Sequence, residues 1–259
     1  LKDPEQLGVL FAISLFLGML VLLEVGRRVG TRRLRKDPEG ARTGISAVEG
    51  SMFGLLGLLI AFTFSGAASR FDARRQLITE EANDIGTAWL RLDLLPAEAQ
   101  PELRDLFRRY LDSRLLTYRK LPDVEAAQAE LQHSIELQGE IWTKTIAALR
   151  AGPPGFTGSL LLNSLNAMFD IVTSRTAAAR THPPFAIYLM LGALALAASL
   201  LAGVGMAGAK TRSWIHVIGF AAVLSLTVYV ILDLEHPRVG LIRVDAFDRS
   251  LIELRESMK

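Results

Sequence analysis

Glu49–Arg75 reads EGSMFGLLGLLIAFTFSGAASRFDARR, apolar at its start and charged at its end. At about 100° per residue on a helical wheel, Ser51, Leu55, Leu58, Phe62, Ser65 and Ser69 fall in one narrow stripe. Beside it, Gly50, Gly54, Gly57, Ala61 and Ala68 form a second stripe made only of small residues. Small residues let helix backbones approach closely inside a membrane. The neighbouring stripe carries hydroxyls at both ends and a Leu-Leu-Phe collar between them. Around a symmetry axis that order gives a channel with wet mouths and a hydrophobic neck, a known way to gate ions by dewetting. Ordinary bundle packing explains the same wheel, because small-xxx-small patterns are frequent and a serine can bond its own helix. Glu49 and Arg70 flank the run as candidate charges at the pore mouths. Glu49 can equally reach headgroup water.

The rest of the chain is segregated in the same way. Half of its 259 residues are hydrophobic, yet 22% are charged, and mean hydropathy is +0.29. Leu7 to Gly26, Ile45 to Ala67, Pro184 to Ala209 and Ile215 to Leu234 are nearly free of charge. A hydrocarbon core about 30 Å thick needs roughly 20 helical residues, so four spanning helices fit. Helix is the default because a backbone in lipid must satisfy its own hydrogen bonds. The first run reads as an anchor rather than a signal peptide: it is too long, lacks a basic start and has no small-residue cleavage site after it.

Between spans one and two, RRVGTRRLRKDPEGARTG reads as a basic loop. Between spans two and three lies a polar helical insertion. Its stripes are Ile78, Ala82, Ile85, Trp89, Leu92; then Leu103, Leu106, Phe107, Tyr110, Leu111; then Leu131, Ile135, Trp142, Ile146, Leu149. Pro96 and Pro122-Asp123 punctuate them, AGPPGFTG is a loop, and Leu161 to Arg180 reads as a fourth helix. The expected division is 1–68 for spans one and two, 69–183 for the helical domain, 184–234 for spans three and four, and 235–259 for an amphipathic tail. The fold class is all-α: an integral membrane protein with four transmembrane helices and one inserted helical domain. Lys and Arg near the span ends are tied between the two faces, so the positive-inside rule leaves orientation open.

No cysteine is present, which excludes disulfides, thiol nucleophiles and cysteine metal sites. A net charge of +2 gives no field for nucleic acid. His133, His182, His216 and His236 stand apart in sequence, without a second ligand at helical spacing, so no metal is expected. Glu80, Glu81 and Asp84 follow Arg74 and Arg75 and read as charge pairs on a solvated helix. The glycine-rich GVGMAGAK lacks phosphate-loop spacing, and Trp214 reads as an interfacial anchor. No nucleophile, base and orienter assemble into a catalytic set, so neither an enzyme nor a cofactor is expected. A transporter of inverted repeats lacks its broken half-helices.

Three stretches resemble the bestrophins, especially bacterial ones. The exit of the second span, carried by Arg70, Phe71, Asp72, Ala73, Arg74 and Arg75, is similar to the charged pattern that follows a bestrophin pore helix. Phe64, Ser65 and Gly66 stand where that family has asparagines. Leu165, Asn166, Arg175, Pro183, Pro184, Phe185 and Ala186 resemble the family's approach to its third span. Leu234, Glu235 and Pro237 resemble the close of its last span, although the Asp-Leu-Pro-Leu run is absent. The resemblance implies a divergent bacterial member of that superfamily in the inner membrane: a homo-oligomer, a ring of five, whose second spans line an axial pore for inorganic ions. It further implies that the helical domain and tail form a cytoplasmic vestibule. A calcium site is not carried over, since Asp245 and Asp248 lie beside Arg243 and Arg249 and hard cations want several oxygens together. The alternative from the residues alone is a non-conducting scaffold or sensor whose helical domain binds a partner protein.

Overall fold

Every described element is helical. The computed structural model describes residues 4–36, 45–152, 157–208 and 213–259. They form α1 (Pro4–Lys36), α2 (Ile45–Arg91), α3 (Gln100–Arg119), α4 (Val124–Ala151), α5 (Thr157–Arg180), α6 (Phe185–Gly205), α7 (Trp214–Leu234) and α8 (Arg249–Ser257). Four helices are long and apolar enough to cross a membrane. The chain divides into two compact units, Leu1–Ser69 with His182–His236, and Arg70–Thr181 with Pro237–Lys259.

Two boundaries differ from the sequence reading. The stretch read as a basic loop is helical up to Lys36, because its Arg, Leu and Val residues are tolerated in helix and Gly30 packs against Val204 of α6. Residues 37–44 of that loop, like the Lys210-Thr211-Arg212 connection, lie outside the described residues. α5 begins at Thr157, ahead of Leu161. The second span also continues without a break through FDARRQL, and α2 is a single helix of 47 residues. No glycine pair or proline interrupts it between Ser69 and Arg91.

In the first unit α1 is the central strut, and both α6 and α7 pack on it. Leu15, Met19 and Leu23 of α1 are buried, as are Leu191, Ala195 and Ala198 of α6 and Ala221, Val228 and Ile231 of α7. The α1–α6 seam is built on glycine. A Cβ on Gly26 would overlap the backbone of Leu200, and one on Gly203 would overlap Leu23 O. A Cβ on Gly30 would stand 2.6 Å from Ala207 Cβ and 2.8 Å from Val204 O. Contact this close is how helices associate where lipid offers no hydrophobic drive. At α6's start, Pro184 is the N-cap residue; it lacks the backbone donor that continuing a helix backward would need.

The second unit is an apolar core closed by the second half of α2, α3, α4, α5 and α8. Ile85, Leu92, Phe107, Leu137, Leu165 and Leu251 are fully buried. Asp123 starts α4 by accepting a hydrogen bond from Ala126 N at 3.0 Å. Arg74 donates to Ala178 O at 3.1 Å and Thr181 O at 2.8 Å, satisfying carbonyls at the C-terminal end of α5. Arg255 of α8 makes a two-pronged bond to Asp112 at 2.8 and 3.0 Å, and Arg108 donates to Met258 O at 3.0 Å. These contacts hold the tail onto α3.

Candidate functional site

The first half of α2 has one side turned to its own unit and one side turned away. Leu56 and Ala67 are buried, and Phe53 meets Phe220 edge-on with ring centroids 5.9 Å apart. The Glu49 carboxylate lies on that same inward side, where a Cβ on Gly205 would come 2.6 Å from Glu49 Oε1. Glu49 is therefore held against α6.

The two stripes of the wheel lie on the other side. Leu55, Leu58 and Phe62 are 55%, 53% and 68% exposed, and Ser51, Ser65 and Ser69 are exposed with them. Ala61 is exposed, and nothing stands within 4 Å of a Cβ built on Gly50, Gly54 or Gly57. Ser51 donates to Ala47 O of its own helix at 2.9 Å. Arg70 is half-buried. The structure thus gathers the stripes onto one face, with Ala68 half-buried at its edge, uncovered among the described residues and free of ionisable groups between Ser51 and Ser69.

Exposure alone does not separate a lipid-facing side from one that meets another copy, but composition does. The exposed residues of α1 include Leu7, Leu10, Ile13, Leu17 and Val21, and those of α7 include Ile215, Ile218, Val223 and Leu226. Those faces are mainly bulky aliphatic, as suits lipid contact, with Gly219 and Ala222 of α7 exposed among them. The open face of α2 is instead glycine, alanine and serine around three large apolar side chains. Glycine and serine are enriched where helix meets helix.

The second half of α2 holds a group that the sequence reading misplaced. Glu81 is not a solvated charge pair. It is fully buried, with Arg114 Nε 2.5 Å from its Oε1 and Arg175 bonded to its Oε2. Arg114 also donates to Tyr118 OH at 2.6 Å, and the Arg175 and Arg238 guanidinium carbons stand 4.0 and 4.6 Å from the Tyr118 ring centroid. Burial and the neighbouring Arg238 push the Arg175 guanidinium down, to about 9, still protonated at neutral pH. Burial pushes the Tyr118 phenol above its ordinary value, and Arg114 and Arg238 pull it partly back. A signal for this was present: Glu81 lies on the same face as Ile78, Ala82 and Ile85, and Arg114 continues the stripe of Phe107, Tyr110 and Leu111. An acid on an apolar stripe must be paired, because an isolated buried charge is too costly.

Two histidines read as separate are neighbours in space. The His182 and His236 rings stack with centroids 5.1 Å apart, and His182 Nδ1 is 3.6 Å from Glu235 Oε2. The start of α6 and the end of α7 bring them together, which residue spacing cannot show. Among the described residues no three His, Asp or Glu side chains converge as metal ligands. Asp245 and Asp248 are both bonded by Arg238, at 3.1 and 2.5 Å.

This fold, four membrane-length helices with a helical domain inserted after the second, defines a class of membrane protein that known proteins share. The bestrophin-like domain family matches residues 13–246, and the chain belongs to that family. Among solved structures it is similar to a single-substitution variant of a bacterial bestrophin homologue from Klebsiella pneumoniae. That pair shares 16% identity and a TM-score of 0.71, over 93% of this chain and 99% of the other. A second structure of a bestrophin homologue from Klebsiella pneumoniae gives 16% identity and a TM-score of 0.64, over 92% and 97%. No protein of curated function matches the chain.

Proposed function

We propose that the protein is an ion channel in which the open face of α2, repeated around a symmetry axis, lines the conducting path. One observation carries this reading: the exposed face of α2 sets three glycines, an alanine and three serines around Leu55, Leu58 and Phe62, whereas the exposed faces of α1 and α7 are mainly bulky and aliphatic. Small and hydroxylated residues concentrate where one membrane helix meets another, so a face rich in them is suited to a neighbouring copy. Membership of the bestrophin-like family, known in general as ion channels and not as enzymes, supports the reading.

In this proposal Ser51, Ser65 and Ser69 wet the two mouths, and Leu55, Leu58 and Phe62 form a neck that empties of water when narrow. Gly50, Gly54, Gly57 and Ala61 seat the neighbouring copy of α2. Arg70 stands at the charged exit, while Glu49 braces α2 against α6 and acts on the other mouth through that brace. The assembly is a ring of five in the inner membrane with the helical domain in the cytoplasm, by analogy with the family. The permeant species are inorganic ions.

The test is a planar bilayer carrying purified protein. Wild type gives unit currents, and Phe62→Ala and Leu58→Ser give larger ones because a polar or smaller neck stays wet. The protein mass in detergent is five times 28.4 kDa. Silence from the wild type and from both widened variants, with the oligomer intact, would sink conduction and leave a scaffold whose helical domain binds a partner. A monomer would sink the pore itself.

A further inference from the structure

α1 runs past the lipid-length apolar stretch and ends in RRVGTRRLRK, Arg27 to Lys36. The glycine seam fixes how deep that end lies. Gly26 is level with Leu200 and Val204 of α6, and Gly30 is level with Val204 in its last turn and with Ala207 just beyond it. Gly30 therefore marks the edge of the hydrocarbon. Trp214, half-exposed at the start of α7, is the interfacial residue type expected at such an edge.

The cations divide at that level. Arg27 and Arg28, at the hydrocarbon edge, share Glu24 within the helix, with Nε to carboxylate distances of 3.2 and 2.8 Å. Arg32, Arg33, Arg35 and Lys36 lie one to two turns further out, and all four are exposed. Among the described residues no carboxylate pairs with them. Four exposed cations on one end of a helix held against α6 make a strongly positive surface there.

We infer that Arg32, Arg33, Arg35 and Lys36 form a collar that binds the phosphate groups of anionic phospholipids. The shared chemistry is a phosphodiester, and the source is the lipid, because the seam sets the collar at headgroup depth. Clusters of Lys and Arg next to a membrane helix attract anionic lipid by an amount worth roughly fivefold in binding for each cation. The inference needs no ion current, so it stands or falls apart from the channel reading.

The experiment is native mass spectrometry of the detergent-solubilised protein with added phosphatidylglycerol, phosphatidylcholine or soluble glycerol 3-phosphate. Wild type retains phosphatidylglycerol at least tenfold better than phosphatidylcholine, and R32Q/R33Q/R35Q/K36Q loses that preference. Neutralising two exposed arginines of the other unit, R109Q/R119Q, leaves it unchanged. Should the fourfold change impair folding, R33Q/K36Q gives an intermediate loss in folded protein. The inference is overturned if the neutralised variants keep the wild-type preference. It is overturned equally if glycerol 3-phosphate binds as tightly as the lipid, since the site would then be one for free phosphate.

Discussion

Two regions of this molecule carry glycines on membrane helices, and they do opposite things with them. Along the α1–α6 seam, Gly26, Gly30 and Gly203 are spent on contact inside one subunit, and a methyl group at any of them would collide with the partner helix. Along α2, a Cβ on Gly50, Gly54 or Gly57 would meet nothing within 4 Å among the described residues. The first set builds the subunit; the second leaves the open surface on which the proposed contact between copies rests. In the second unit the other half of α2 is held by Glu81, bonded by Arg114 and Arg175.

That division of labour can be broken at its strongest point. Glu81→Gln leaves Arg114 and Arg175 buried without their counter-charge and costs about 3–5 kcal/mol, read as a lowered unfolding midpoint. A variant as stable as wild type would mean that α2 is held some other way. Next in size, Gly26→Leu forces side-chain atoms into the Leu200 backbone and costs about 3 kcal/mol or more. The measure is thermal melting of the protein in detergent, where the first unit unfolds early.

Gly54→Leu makes the converse case. It meets open space within the subunit, so monomer stability moves by about 1 kcal/mol or less, the size of a helix-propensity change. The oligomer nonetheless dissociates, which light scattering in detergent reads. The absence of cysteine allows a cleaner version: Gly54→Cys alone forms an oxidative dimer between copies, whereas Ala195→Cys, buried within the subunit, does not. The reverse pattern would put the copy-to-copy surface elsewhere.

The smallest effect lies in the second unit. The Lys120 ammonium, 2.7 Å from Glu130, holds the Glu130 carboxyl below its ordinary value despite partial burial, with Ser113 adding a bond. A lowered pKa means that the unfolded chain takes the proton first as pH falls. The pair's contribution is therefore full above the ordinary carboxylate range and is lost as pH drops through the lower folded value. Lys120→Met removes that acid sensitivity from the urea midpoint. Because Lys120 is 37% exposed, the stability lost at neutral pH is below about 1 kcal/mol.

The stripe on α2 was legible because a helix repeats every 3.6 residues, so Ser51, Leu55, Leu58, Phe62, Ser65 and Ser69 share a face in any helix with this order. What covers that face was not, since a wheel shows direction and never the neighbour. Glu81 marks the other limit. Its place beside Ile78, Ala82 and Ile85 gave away its burial, but Arg175, far along the chain, could be matched to it only by folding. The glycines of the α1–α6 seam went unread for the same reason: Gly26 and Gly203 explain each other, and neither does so alone.

By itself the sequence determined four lipid-length helices, an all-helical insertion and the amphipathic pattern of every segment, because those follow from side-chain polarity and helical period. Tertiary structure decided which glycines face a partner helix, that His182 meets His236, and that α2 turns its small and hydroxylated side away from its own subunit. Such choices depend on distances between segments remote in the chain, and local periodicity holds no information about them.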